Sequence, residues 1–187
     1  RQRQMCIRDS RYPDPLRRAL AHAVLAPNPH NRQPWLIEPL DASQAVLHCD
    51  GHRLLPHTDP FGRQITIGLG AFLETFALAA SREGRNVTVQ LFPAGEPASE
   101  QLDALATTPV AHLAVGPAGR GAADALTWQI PHRRSTKEPF DRARPVDPKT
   151  LAALLASAGR PDWTGGSNDT AALVTLRDLT WRAHEVE

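Results

Sequence analysis

Residues 26–35 read Ala26-Pro27-Asn28-Pro29-His30-Asn31-Arg32-Gln33-Pro34-Trp35, and they mark the place where a helix gives way to a strand. Upstream, Asp14-Pro15 opens the helix, with Asp as N-cap and Pro at the first helical position. Leu16, Ala19, Leu20, Ala23 and Val24 then recur at helical spacing and form one apolar stripe. Pro27 and Pro29 end the helix, because proline lacks the N–H that the next turn requires. Pro34 biases Gln33 toward extended geometry, so a strand over 35–38 is expected to follow. Further along, 45–49 reads as a second strand. Asp59-Pro60 precedes a second helix in which Ile65, Leu69, Phe72, Phe76 and Ala80 keep the same period. Gly68 and Gly70 weaken that helix by up to ~1 kcal/mol each relative to Ala, which implies close packing against something. Residues 86–92 and 110–115 read as strands separated by a Pro-, Ala- and Glu-rich loop. Helices are expected over 122–129, over Pro148–Ser157 and after Asp169, where Leu173, Leu176, Leu179 and Ala183 share a face. Helices and strands are thus mixed along the chain.

A chain of 187 residues makes one domain, or one and part of another. Hydrophobic residues at 41% and charged residues at 22% exclude a disordered composition. A formal net charge of +1 gives no reason to expect a nucleic-acid partner. No stretch reads as the ~18 consecutive apolar residues of a membrane span. The charge is unevenly placed. Residues 1–10, RQRQMCIRDS, carry a net +2 through Arg1, Arg3, Arg8 and Asp9 and leave the remainder at −1. This decapeptide resembles translated sequencing-adaptor read-through, so residues 1–10 are expected to be a non-native tail. Cys6 lies within it, and Cys49 alone builds no intrachain disulfide. The final helix runs to Glu187 without a C-cap glycine, and the chain reads as truncated at both ends.

Two segments carry chemistry. In the first, Asn28 and Asn31 each offer an amide that donates and accepts, suited to the edge of a heterocycle. The same residues also make an ordinary Pro/Asn turn with Trp35 packed beneath it, and composition alone favours the turn. The second is His132-Arg133-Arg134-Ser135-Thr136-Lys137. Arginine binds phosphate oxygens bidentately, hydroxyls add donors, and Lys137 is a point charge able to reach another part of the same ligand. Most basic clusters of this kind are solvated loops.

Together, Asn-x-Gln-Pro-Trp after a helix and Arg-Arg-Ser-Thr-Lys leading through Phe140-Asp141 to a Pro-preceded helix resemble the two flavin-contacting segments of the nitroreductase family. His57-Thr58-Asp59-Pro60, Arg63 and the Gly68-Leu69-Gly70 helix extend the resemblance to the single-chain Acg-like FMN-binding oxidoreductases, over residues 12–187. The resemblance implies an α+β fold, a nitroreductase-like sheet flanked by helices, with FMN held between two modules. Ordinary members have the arginine segment first. Here Asn31 stands 102 positions ahead of Arg133, which implies a fused pseudo-dimer. Residues 11–130 would then form the first module, and 131–187 the start of an incomplete second one.

Carried over by the same resemblance, Arg133 and Ser135 hold the FMN phosphate and ribityl chain, with Arg134 beside them. Lys137 approaches the pyrimidine edge, and Asn28, Pro29 and Asn31 line the ring, Pro29 standing where many relatives have serine. No side chain is expected to act as a catalytic nucleophile, and no metal is expected. The implied activity passes electrons from NAD(P)H through FMN to a nitroaromatic- or quinone-like acceptor. The alternative is a flavin-sequestering protein without turnover. Partners are then NAD(P)H, a small-molecule acceptor, and either the missing C-terminal module or a homodimer partner. The expected compartment is the cytoplasm, or the periplasm if a signal once preceded this chain. His48, His52, His57, Cys49 and Asp59 fit no standard zinc spacing and read as ordinary surface and core residues. No G-x-G-x-x-G, Walker A or G-x-S-x-G motif occurs.

Overall fold

The computed structural model describes residues 12–97, 102–119, 122–139, 141 and 143–186. The decapeptide 1–10, with Cys6, and Phe140 lie outside the described residues. The chain divides into two compact units, residues 1–135 and 136–187.

In the first unit, α1 (Pro15–Ala23) begins as its sequence dictates. Asp14 is extended and accepts a hydrogen bond from the Arg17 amide at 2.7 Å. Such a cap contributes about 1 kcal/mol by satisfying an orphan helix donor. Strands β1 (Trp35–Pro39), β2 (Gln44–Cys49), β3 (Arg85–Leu91) and β4 (Ala111–Ala118) form one antiparallel sheet in the order β1-β2-β4-β3. Ala45, Leu47 and Cys49 of β2 and Ala111, Leu113 and Val115 of β4 turn inward on alternate positions. The register sets Ala45 opposite Leu113 and Leu47 opposite Ala111, so these side chains form one continuous apolar face.

Helix α2 (Arg63–Ser81) packs against α1 and β3. It buries Ile65, Leu69, Phe72, Phe76 and Ala80, the stripe the sequence predicts, together with Leu73 and Ala79. Its start is set by two residues outside the helix. Gly62 adopts φ 66°, a left-handed turn that L side chains resist, and the buried Asp59 carboxylate accepts from the Gln64 and Ile65 amides. By length and mean hydropathy (1.3), α2 would pass for a membrane span, which corrects the expectation that no stretch comes near one. Its buried face makes it the core helix of this unit.

Two local expectations need correction. A short helix, α3 (Leu102–Thr107), stands in what reads as loop, and it buries Leu105. Residues 122–129 form only a single 3-10 turn, Ala125–Gln129, capped by the Asp124 side chain.

The second unit carries α4 (Pro148–Ser157) and α5 (Thr170–Val186), each capped by an aspartate, the second of them the predicted Asp169. Asp147 accepts from the Thr150 amide and Asp169 from the Ala172 amide. Gly166 packs closely there, since a Cβ would come within 3.2 Å of the Leu151 side chain, which would have to give by a few tenths of an ångström. None of the described residues of this unit is buried, and Leu173, Leu176 and Leu179 stand about half exposed.

Candidate functional site

The Ala26–Trp35 segment folds into a tight loop closed by its own side chains. Pro29–Asn31 form a 3-10 turn. Asn28 Oδ1 accepts from the Gln33 amide at 2.7 Å, while Asn28 Nδ2 donates to the Ala26 carbonyl at 3.1 Å. The Asn28 amide is therefore engaged at both ends, where the sequence expects it to face a ring. Gln33 is also not extended. It sits at φ 52°, and His30 (48°) and Asn31 (53°) share the left-handed region. The Asn28–Gln33 bond holds the loop in this shape against the preference that Pro34 imposes. Non-glycine residues in this region cost on the order of 1–3 kcal/mol each and concentrate at functional sites.

The loop is pinned from two sides. Arg32 donates from Nε to the Arg53 carbonyl (2.9 Å) and from Nη2 to the His52 carbonyl (2.8 Å). Arg53 returns a bond to the Arg32 carbonyl at 2.7 Å and is itself steadied by Asp50. Beneath the loop, a Cβ on Gly68 would lie 3.2 Å from Asn28 Cβ and from Pro29 Cδ. This is the close packing that the glycine predicts. Gly70 meets nothing within 4 Å, so its place in the helix has no such explanation. The outcome is that Asn31 stands exposed, and its side-chain amide has no hydrogen-bond partner among the described residues.

The arginine segment reaches the residue just ahead of this loop. Arg133 Nη2 donates to the Leu25 carbonyl at 3.1 Å, three residues before Asn28, and Nη1 donates to Ser135 Oγ at 3.3 Å. Two of its five N–H donors are thus engaged, and among the described residues no carboxylate pairs with it. Arg134 folds back onto the carbonyls of Pro131 and Arg133. Ser135 is exposed. Lys137, also exposed, belongs to the second unit.

A cavity of about 590 Å³ lies in the first unit, lined among others by Arg18, His22, Arg82, Glu83 and Trp128. His22 is buried, with Nδ1 3.0 Å from the Arg18 carbonyl and Nε2 2.8 Å from Arg82 Nη1. A guanidinium only donates, so Nε2 accepts and Nδ1 carries the proton. The one signal for His22 in the sequence is a polar residue three positions after Ala19 on the α1 stripe.

Hydrogen bonds from Arg18, joined by Arg85, hold Glu83 below its ordinary carboxylate value of 4.5. A lowered native value means the stabilisation is complete above that range and is lost as the pH falls through the native value. Glu83→Gln should therefore cost about 1 kcal/mol at pH 7, the scale of a partly exposed ion pair. Urea melts should show the difference closing in strong acid; an undiminished difference at pH 3 would contradict the assignment.

His48 pairs with Glu38 and Asp59 caps α2, and among the described residues no three His, Cys, Asp or Glu side chains converge as metal ligands do. Burial, with the Asp50 charge beside it, pushes the Cys49 thiol up to about 12. A thiol so rarely ionised is a poor nucleophile.

No family model matches the chain. It is 33% identical over 132 residues to "Uncharacterized protein Rv3127" of Mycobacterium tuberculosis (strain ATCC 25618 / H37Rv), a match covering 67% of this chain and 36% of that protein. It is 38% identical over 80 residues to "Putative NAD(P)H nitroreductase acg" of the same organism, covering 43% of this chain and 24% of that protein. A solved structure described as a "Putative NADH Oxidase" from Clostridium acetobutylicum aligns with TM-score 0.43 and 16% identity, covering 70% of this chain and 84% of that one. The matched region with the first relative corresponds to about a third of that protein's length (36%). The chain is thus an α+β protein with partial similarity to a nitroreductase-like oxidoreductase.

Proposed function

We propose that this chain is the FMN-binding part of a nitroreductase-type oxidoreductase that passes electrons from NAD(P)H to a nitroaromatic- or quinone-like acceptor. The observation that carries this reading is the hydrogen bond from Arg133 to the Leu25 carbonyl. It ties a basic, hydroxyl-bearing segment to the residue that leads into the strained loop presenting Asn31. The partial similarity to a protein named as an NAD(P)H nitroreductase supports the same reading.

The donor set fits a flavin mononucleotide. Arg133 keeps three N–H groups unengaged among the described residues, and Ser135 Oγ lies beside it, a pairing suited to a phosphate dianion. Asn31 offers one donor pair and one acceptor to the polar edge of the ring. The bound FMN supplies the hydride and electron chemistry. The protein's part is to bind and orient it, with Asn28 and Arg32 keeping the loop in shape. The acceptor site is completed by a second module or a second copy of the chain.

The test is a titration of FMN with the 187-residue chain, followed by quenching of flavin fluorescence. Arg133→Ala should weaken binding by about tenfold to a hundredfold, the value of charge-assisted hydrogen bonds to phosphate. Fluorescence that stays unquenched throughout would overturn the reading, and unchanged affinity in Arg133→Ala would move the phosphate contact elsewhere. Bleaching of the bound flavin by NADH or NADPH without oxygen separates turnover from sequestration.

A further inference from the structure

Arg133 carries the proposed phosphate contact, yet it lies in a stretch without regular structure, so something else must fix its backbone. The 3-10 turn Ala125–Gln129 does so directly. The amides of His132 and Arg133 both donate to the Gln129 carbonyl, at 2.9 and 2.8 Å. The turn is held in turn by α2. Its buried Thr127 and the following Ile130 sit in the core, and the Asp124 amide donates to Ser81 Oγ at 3.1 Å. Its outermost tie is Trp128. The indole lies under the Arg82 guanidinium, 4.7 Å from ring centroid to Cζ, although the side chain is 54% exposed. An indole this open gains little from burial, so its location needs the stacking partner. Arg82 is aimed by the Nε2 lone pair of His22, and His22 by the Arg18 carbonyl.

We infer that Trp128 is a positioning residue for Arg133, acting through the 3-10 turn and locked by the stack on Arg82 and the hydrogen bond from Arg82 to His22. The inference deepens the proposed function and rests on it for the role of Arg133. The geometric part, that Trp128 orders residues 130–135, stands apart from that reading. Among the described residues, the charged and titratable groups lining the cavity beside the stack are Tyr12, Arg18 and His22 on the α1 side and, just past α2, Arg82 and Glu83, the last engaged by Arg18 and Arg85.

The experiment compares Trp128→Ala and Trp128→Phe in the 187-residue chain by hydrogen–deuterium exchange and by FMN titration, with each variant's melting temperature recorded. Trp128→Ala should raise exchange across 130–135 and weaken FMN binding about tenfold. Trp128→Phe keeps an aromatic face for Arg82 and should restore both to within about twofold. In an Arg133→Ala background, Trp128→Ala should weaken FMN binding little further, because the residue it positions is gone. Should Trp128→Ala fail to fold, Trp128→Leu keeps the apolar bulk without a π face and is expected to show the same two losses. Unchanged exchange at 130–135, or an equal tenfold loss with and without Arg133, would overturn the inference. Raised exchange in a chain whose unsubstituted form binds no FMN would uphold the positioning and overturn only the phosphate reading.

Discussion

Replacing Phe72 with alanine should lower the unfolding free energy by about 3–5 kcal/mol, the usual cost of emptying a fully buried aromatic site. Phe72 has no exposed surface and sits midway along α2, the helix that packs against both α1 and β3. Its ring lies 5.0 Å from that of Trp35, tilted by 32°, an arrangement that adds to the area it buries. Trp35 is the first residue of β1 and follows directly on the strained loop, so the cavity would open under the candidate site. A domain of this size is stable by only about 5–15 kcal/mol, so the loss removes a large share of the total. Urea denaturation followed by circular dichroism measures it. A loss below about 1 kcal/mol would mean that the site collapses around the missing ring, and that Phe72 is not the central packing element of this core.

Most of this framework is legible in the sequence because local and global preferences agree. Asp14-Pro15, Asp147-Pro148 and Asp169 cap helices as their chemistry dictates, and the α2 stripe buries the five residues its period selects. Where reading fails, a tertiary contact has overridden a local preference. Helix α3 hides in a Pro- and Ala-rich stretch, without a long apolar stripe to announce it. Residues 122–129 form a 3-10 turn in place of the expected helix, with Thr127 and Ile130 buried and the Asp124 side chain capping the turn. Gln33 leaves the extended region that its proline favours because the Asn28 side chain captures its amide.

The candidate site shows the same division. The residue types of the Arg133–Lys137 cluster suit a phosphate, its flavin role is what the family resemblance implies, and Arg133 and Ser135 stand side by side. What spacing cannot reveal is which polar groups the protein uses on itself. Asn28 and Arg32 look as available as Asn31, but both are engaged in holding the loop. His22, Arg82 and Trp128 belong to no motif, since their relation exists only once α1, the end of α2 and the 3-10 turn meet.

This makes Asn28 the residue whose substitution separates the two readings of the loop most sharply. Asn28→Ala removes an acceptor for the Gln33 amide and a donor to the Ala26 carbonyl. Each such bond contributes roughly 0.5–1.5 kcal/mol, and the left-handed residues 30, 31 and 33 would lose the tie that holds them. The expected loss is about 2 kcal/mol in urea denaturation, together with weaker FMN binding, because Asn31 would no longer be held in place. Asn28→Asp keeps the acceptor toward Gln33 and strengthens it by charge, but it loses the donor toward Ala26 and sets an oxygen against that carbonyl, so it should fall about midway in both measurements. A ring-lining Asn28 makes a different prediction. Both variants would then weaken FMN binding equally, while the stability of the free chain stayed unchanged. Parallel loss of stability and affinity, graded from Asp to Ala, is the signature of an asparagine that acts by closing the loop on itself.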